Sequence, residues 1–356
     1  MKRGNHQAQQ RGHGASGGDA MTGRAQALLV MDQATFDVQF REPQLRRLRT
    51  LADLGEPLVT AELDTPRARR RLREAEVLLT SWGCPPLTAE RLADAPRLRA
   101  IFHCAGTVRS FVTDEVWRRG LLVTSAADEN AIPVAEFTLA AIIFAGKKAP
   151  FLAQDALMRR AGWSSLVRRE DLSNRERTVG VVGYSRVGRR VVERLRALEV
   201  EILVADPYAS PAEVGAAGAR LVELPELLPR CDVLSLHVPQ LPATRHLIGA
   251  AELAALPDGA TVINTARGAV LDTAALEREC AAGRLNAILD VTDPDPLPPG
   301  SPLYGLPNVM ITPHVAGSLG SETRRMSESA LDELERHVTG RPPRAAVTVD
   351  EFKVSA

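Results

Sequence analysis

Lysine is nearly missing from this chain. Lys2, Lys147, Lys148 and Lys353 are its only ones, and arginine supplies the rest of the 44 cations. Acidic residues also number 44, so the formal charge is zero and no global field draws the chain to nucleic acid or an anionic membrane. Cysteine is sparse. Cys84, Cys104, Cys231 and Cys280 stand far apart with no C-x-x-C pair. That pattern speaks for reduced thiols in a cytoplasmic protein and against a disulfide framework or a zinc site, so no metal is expected. No apolar run approaches the roughly 20 residues that span a bilayer. The N-terminus carries charge but lacks the apolar segment of a secretory signal. Neither a nucleic-acid partner nor a membrane is expected.

With 356 residues, 45% hydrophobic and 25% charged, the chain is long enough for two globular domains of ordinary size. Residues 1–24 are polar and rich in Gly and Gln, without periodicity, and read as disordered. His6 and His13 are too sparse for a metal tract. From 25 to about 125, strands predicted at 27–31, 57–60, 77–80, 98–103 and 121–125 alternate with helices at 45–54, 67–74, 89–93 and 113–119. Such alternation implies a parallel sheet covered by helices. The arginine run within 67–73 reads as a solvated helix face in preference to a phosphate patch. A turn-rich stretch at 126–133 then precedes a long apolar helix at 134–146 and marks the first crossing between domains. A second, arginine-rich connection occupies 159–177. Beyond 208, strands are expected at 233–237, 261–265, 286–291 and 309–312, with helices at 224–228, 251–256 and 272–282. A one-sided apolar helix over 321–338 stops at Gly340-Arg341-Pro342-Pro343.

The rest of the chain is organised around residues 177–208, RTVGVVGYSRVGRRVVERLRALEVEILVADPY. A β-branched run over 178–182 enters the turn Gly183-Tyr184-Ser185-Arg186-Val187-Gly188. A helix follows, with Val187, Val191, Val192 and Leu195 at helical spacing, then a second apolar run over 201–205 that ends on Asp206. Unpaired N–H groups and the dipole at a helix N-terminus attract a pyrophosphate. An acid about 20 residues further on can hold the adenine ribose. The pattern departs from G-x-G-x-x-G at Ser185, where glycine normally lets the backbone approach the phosphates.

Three later segments carry candidate chemistry. Arg267 follows the strand at 261–265, where ligands sit in open α/β sheets and a guanidinium can clamp a carboxylate; a surface loop arginine is the blander alternative. Asp290, Asp293 and Asp295 fall in an acidic, proline-rich segment at the end of the strand at 286–291. His314 follows the last strand, and a lone histidine is more often structural than catalytic. Together the three would project from one sheet edge.

The stretches NAIPVAEF (130–137), TVGVVGYSRVG (178–188), ADPY (205–208), CDVLSLHVPQLPATRHLI (231–248), INTARGAVLD (263–272), DVTDPDPLPP (290–299) and PNVMITPHVAGS (307–318) are collinear, and the chain resembles the D-isomer-specific 2-hydroxyacid dehydrogenases. The resemblance implies an α/β protein of two doubly wound parallel-sheet domains, with a Rossmann NAD domain inserted into a discontinuous flavodoxin-like substrate domain. The implied boundaries are 25–127 for the first part of the substrate domain, 128–318 for the NAD domain, 319–345 for the returning helix and 346–356 for a tail. The implied activity is NAD-dependent interconversion of a 2-keto acid and a D-2-hydroxy acid. Arg267 would clamp the carboxylate, His314 would be the acid–base, and Asp295 would stand where the family carries a glutamate. Aspartate loses roughly 1.5 Å of reach, about one C–C bond. The gap would close by a shift of the loop, by a bridging water, or by Asp293 acting instead.

By family position the cofactor would meet Gly183, Ser185, Arg186, Val187, Gly188, Asp206, Pro207, His237, Pro239, Thr244, Ala266, Asp290 and Gly317. Asp206 would select NAD over NADP. The substrate would meet Trp82, Ala105, Gly106 and Thr107 besides Arg267 and His314, with Gly83, Phe102, His103 and Cys104 close by. A homodimer through the NAD domain is implied as well. The competing expectation is an NAD(H)-sensing, corepressor-like binding protein on the same fold.

Overall fold

Buried parallel strands read as unbroken apolar runs because helices cover both faces of their sheet. VLLT at 77–80 and VLSL at 233–236 are such runs, and every residue of both is buried. The computed structural model describes residues 24–160 and 171–354. The segment expected to be disordered, up to residue 23, and the middle of the arginine-rich connection lie outside the described residues.

The first sheet contains β1 (Ala25–Val30), β2 (Ala52–Asp53), β3 (Val59–Thr60), β4 (Val77–Thr80), β5 (Ala100–His103) and β6 (Leu122–Ser125). Its order is β2-β1-β4-β5-β6, with β3 also paired to β1, and all pairs are parallel. The second contains β7 (Arg177–Val182), β8 (Val200–Ala205), β9 (Arg220–Leu221), β10 (Val233–Leu236), β11 (Thr261–Asn264), β12 (Asn286–Leu289) and β13 (Val309–Ile311). These run β13-β12-β11-β10-β7-β8-β9, again all parallel. The first order is flavodoxin-like and the second is the Rossmann order extended by one strand. Each reverses direction once, beside β1 and beside β7. Ligand crevices open at such switch points, beyond the carboxyl ends of the strands.

The helix Thr323–Val338 returns to the first sheet, against β5, β6 and the helices Gln33–Gln39 and Glu42–Leu51. Arg47 fixes it there, bonding Glu328, Asp332 and Glu335 at 2.9, 2.5 and 2.8 Å.

Two expectations need correction. The stretch 126–133 is not a turn: the long helix runs Ala127–Lys147 and carries Pro133 in its interior. Proline there removes a backbone bond, but Ala135, Ala141, Ile142 and Ala145 pack with Val191, Val192 and Leu195 of the helix Arg186–Leu195, and burial outweighs propensity. By length and composition this 21-residue helix is apolar enough to cross a membrane, but Asp128, Glu129 and Glu136 interrupt it and half of its apolar window is buried inside the fold. The arginine run is not uniformly a solvated face. Arg67, Arg69, Arg70 and Arg73 meet Glu56, Asp64, Glu90 and Asp94 at the surface. Arg71, three residues after buried Ala68, is only 2% exposed and donates to the carbonyls of Leu54 and Ala27. In the segment expected as a tail, Ala346 bridges Thr124 and the helix Val349–Val354 lays Phe352 against Trp117.

Candidate active site

Glycine is indispensable at two points of the 183–188 turn. Gly183 has φ +96°, and a Cβ there would lie 2.8 Å from the His237 backbone; a Cβ on Gly188 would fall 2.0 Å from the Gly183 carbonyl oxygen. Ser185 differs. Its φ of −96° is open to any residue, its side chain is exposed, and it makes no side-chain cap bond to the helix it starts. The fold therefore tolerates serine at the departure from the glycine pattern.

The helix Arg186–Leu195 begins with backbone N–H groups that no side chain caps. Asp206 follows β8, half-buried, its carboxylate accepting from the N–H groups of Tyr184 (2.7 Å) and Tyr208 (2.8 Å), so it faces the same turn. Arg186 leans toward Asp128, 3.7 Å away. His237 lies just past β10 with Nε2 against Ser235 Oγ at 2.9 Å, while its buried Nδ1 has no partner. Burial pushes its pKa down to about 3. Uncapped donors, a turn closed to Cβ atoms at Gly183 and Gly188, and an acid beyond the neighbouring strand fit a dinucleotide. Pro207, Pro239, Thr244, Ala266, Asp290 and Gly317 lie beyond the carboxyl ends of β8, β10, β11, β12 and β13, along that same edge.

The charged groups emerge from adjacent strands. Arg267 follows β11, Asp295 follows β12 and His314 follows β13. Arg267 is half-buried, donates to the Ala266 carbonyl at 2.7 Å, and pairs with no acid among the described residues. Burial lowers its pKa from the ordinary arginine value. An arginine nevertheless stays cationic, which leaves a partly desolvated positive charge facing the edge. His314 Nδ1 lies 3.2 Å from Asp295 Oδ2. The shorter acid thus reaches the ring directly. Asp293 is turned away to Arg245, at 3.2 Å.

Asp290, expected to touch cofactor, spends its carboxylate inside the loop that carries the histidine. It is 2% exposed and accepts from Thr312 Oγ1 (2.6 Å) and the N–H groups of Val315 (2.8 Å) and Ala316 (3.0 Å), while its carbonyl accepts from the His314 N–H. His314 sits at φ +56°, which this scaffold supports.

On the first sheet, the turn Ala105-Gly106-Thr107-Val108 follows β5. Phe102, His103 and Cys104, expected to line the substrate side, are buried within the sheet's layers. Phe102 meets His337. The His103 ring is bonded to Thr80 Oγ1 at 2.9 Å and packs on Phe111, and burial pushes its pKa down to about 3. Trp82, 42% exposed, remains at the open edge.

Asn130 was not among the expected site residues. Its Oδ1 accepts the Ser318 N–H at 2.9 Å, and its side chain lies where Cβ atoms on Gly106 and Gly317 would come within 3.4 and 3.3 Å. One amide is thus bonded to the loop beyond His314 and lies against the first sheet's turn. Its signal lay in NAIPVAEF, which does not by itself reveal that the helix starts before the proline.

Known proteins align with this arrangement. The model of the D-isomer specific 2-hydroxyacid dehydrogenase NAD binding domain matches residues 141–316. Glyoxylate reductase of Thermofilum pendens is 31% identical over 322 residues, covering 88% of this chain and 93% of that one. D-3-phosphoglycerate dehydrogenase of Mycobacterium tuberculosis is 33% identical over 298 residues, 82% of this chain and 55% of the other, so the chain spans about half the length of such relatives. Among solved structures, the TT0316 protein of Thermus thermophilus superposes with TM-score 0.71 at 30% identity, over 91% of this chain and all of that one. D-mandelate dehydrogenase of Rhodotorula graminis shares the fold, with TM-score 0.78 at 22% identity over 92% and 98% of the two chains. The chain belongs to the D-isomer-specific 2-hydroxyacid dehydrogenase family.

Proposed function

We propose that this chain is an NAD-dependent oxidoreductase that interconverts a 2-keto acid and the D-2-hydroxy acid. The observation that carries the reading is the delivery of Arg267, Asp295 and His314 from three adjacent strands, next to the edge that fits a dinucleotide. NAD held there supplies or accepts hydride at the substrate's C2. In reduction the C2 oxygen gains negative charge and takes a proton from His314; in oxidation His314 takes it back. Asp295 on Nδ1 leaves Nε2 to face the substrate oxygen. A positioned acid–base contributes about 10²–10⁴-fold. Arg267 grips the carboxylate, holds the keto acid planar and favours charge at the oxygen. The Gly106 turn offers backbone N–H groups from the facing sheet, with Asn130 lying beside it.

The domain boundaries at 127/128 and 318/319 belong to the same reading. So does a cytoplasmic homodimer, for which Phe144, Leu157 and Met158 provide exposed apolar surface on the helices Ala127–Lys147 and Ala149–Arg159. Relatives named as dehydrogenases and reductases favour an enzyme over an NAD(H)-sensing binding protein. The test is NADH oxidation with a panel of 2-keto acids and chiral analysis of the product. A D-configured hydroxy acid is expected. Tight NADH binding without oxidation by any keto acid would return the sensor reading.

A further inference from the structure

The reading above fixes two of the three substituents on the substrate's C2: the carboxylate lies at Arg267 and the Gly106 turn, and the oxygen at His314. The third, the side chain, must leave between them. The first sheet's switch point offers the exit. There β1 separates β2 from β4, and the crevice opens between the residues following β1 and β4.

Trp82 stands at that crevice. Thr80 pairs in register with His103, so Trp82 and Ala105 each lie two residues beyond the same rung. The backbone at Trp82 therefore neighbours that of the Gly106 turn. Its backbone is fixed, because the Asp32 N–H donates to the Trp82 carbonyl at 3.1 Å and Gly83, at φ +84°, lies so close that a Cβ would be 2.7 Å from the Asp32 nitrogen. Leu319, 50% exposed, follows the His314 loop directly. Its N–H donates to Glu322 at 3.1 Å, and the single turn Gly320–Glu322 packs on the helix Gln33–Gln39, which starts at the crevice. Two large, partly exposed apolar residues thus stand on the segments beside the exit.

Two acids are fixed near it: Asp32, capping its helix through Thr35, and Glu322. Arg109, the cation closest in sequence to the Gly106 turn, lies 5.0 Å over the Phe352 ring and donates to the Phe352 carbonyl. Its guanidinium is thereby committed to the C-terminal helix.

Resting on the proposed dehydrogenase reading, we infer that the substrate is a 2-keto acid with an apolar, branched or aromatic side chain, seated between Trp82 and Leu319, and not one bearing a phosphate or second carboxylate. One methylene in an apolar pocket shifts kcat/KM by about tenfold or more. A phosphate placed beside Asp32 and Glu322 would meet repulsion in place of a partner.

The experiment compares kcat/KM with NADH for 4-methyl-2-oxopentanoate, phenylpyruvate, glyoxylate, oxaloacetate and 3-phosphohydroxypyruvate. The first two should exceed the others by at least about tenfold. Trp82→Ala and Leu319→Ser should each lower the ratio of 4-methyl-2-oxopentanoate to glyoxylate by roughly tenfold, while NADH affinity is followed by fluorescence titration. A parent preference for glyoxylate or either doubly anionic acid overturns the inference and leaves the dehydrogenase reading standing, as does an unchanged ratio in both variants. Failure to reduce any of the five overturns both.

Discussion

Two sheet edges of the same construction do different work here. Both close parallel sheets, both contain one switch point, and each buries a histidine at a strand end, His103 beside Thr80 and His237 beside Ser235. The second edge presents Arg267, Asp295 and His314, with Asp290 spending its buried carboxylate to shape the loop beneath His314. The first presents Trp82 and the backbone of the Gly106 turn. Ionic side chains act on what every 2-keto acid shares, the carboxylate and the C2 oxygen. An apolar wall acts on what distinguishes one from another. Substitutions on the second edge should therefore cost turnover with every substrate, and those on the first should redistribute it.

The largest effect belongs to the ionic edge. His314→Ala should lower kcat by about 10²–10⁴-fold for all keto acids, the range of general acid–base catalysis, with NADH binding retained. Arg267→Ala should lower kcat and raise KM together, because it positions the substrate and also meets charge that develops during the reaction. Steady-state kinetics across the keto-acid panel checks both. Near-normal turnover in either variant would remove that residue from the site.

Asp295→Glu comes next. The aspartate already lies 3.2 Å from His314 Nδ1, so an extra methylene must push the ring or fold the acid aside. A drop of up to about a hundredfold in kcat follows, the scale for a misplaced catalytic group. Activity that stays level or rises would show that the loop accommodates the longer acid familiar from the family.

The two buried histidines test the edges for stability. Burial holds His103 and His237 at about 3, below the unfolded value near 6.5. Between those values the unfolded chain binds protons that the folded one refuses. Stability is therefore fully present above about pH 6.5 and lost as pH falls toward 3, by roughly 2 kcal/mol per histidine between pH 6.5 and 5. Urea unfolding at pH 7 and pH 5 measures the loss. His103→Asn and His237→Asn should each flatten the profile by its own share, and a parent whose stability is level over that interval would show that neither ring stays neutral.

Much of this was legible in the chain, for physical reasons. Strands buried on both faces are continuous apolar runs closed by turn residues, so the positions of Arg267, Asp295 and His314 beyond strand ends follow from local pattern. Asn130 was hidden because Pro133 reads as a turn, and only packing against the helix Arg186–Leu195 makes the segment helical. Arg71 looked like its exposed neighbours until helical phase set it in line with Ala68 and Leu72. The meeting of Trp82 with Asp32 depends on strand order, which brings together residues 50 positions apart in sequence and which no local pattern records.

The smallest effect is at Ser185, and it separates what the fold requires from what the cofactor requires. Gly183 and Gly188 are held by contacts within the protein, at 2.8 and 2.0 Å from where a Cβ would stand. Ser185 has ordinary φ and an exposed side chain, so nothing in the protein depends on its size. Ser185→Gly should change stability by no more than a few tenths of a kcal/mol, chiefly through the freer unfolded chain and the small cap difference. NADH is the only remaining judge of that Cβ. If serine merely crowds the pyrophosphate, Ser185→Gly binds NADH more tightly and Ser185→Ala binds as the parent does. If its hydroxyl donates to a phosphate oxygen, both variants bind more weakly by a few-fold, the worth of one hydrogen bond at about 1 kcal/mol. Fluorescence titration of the three proteins decides between a tolerated departure and a substituted contact.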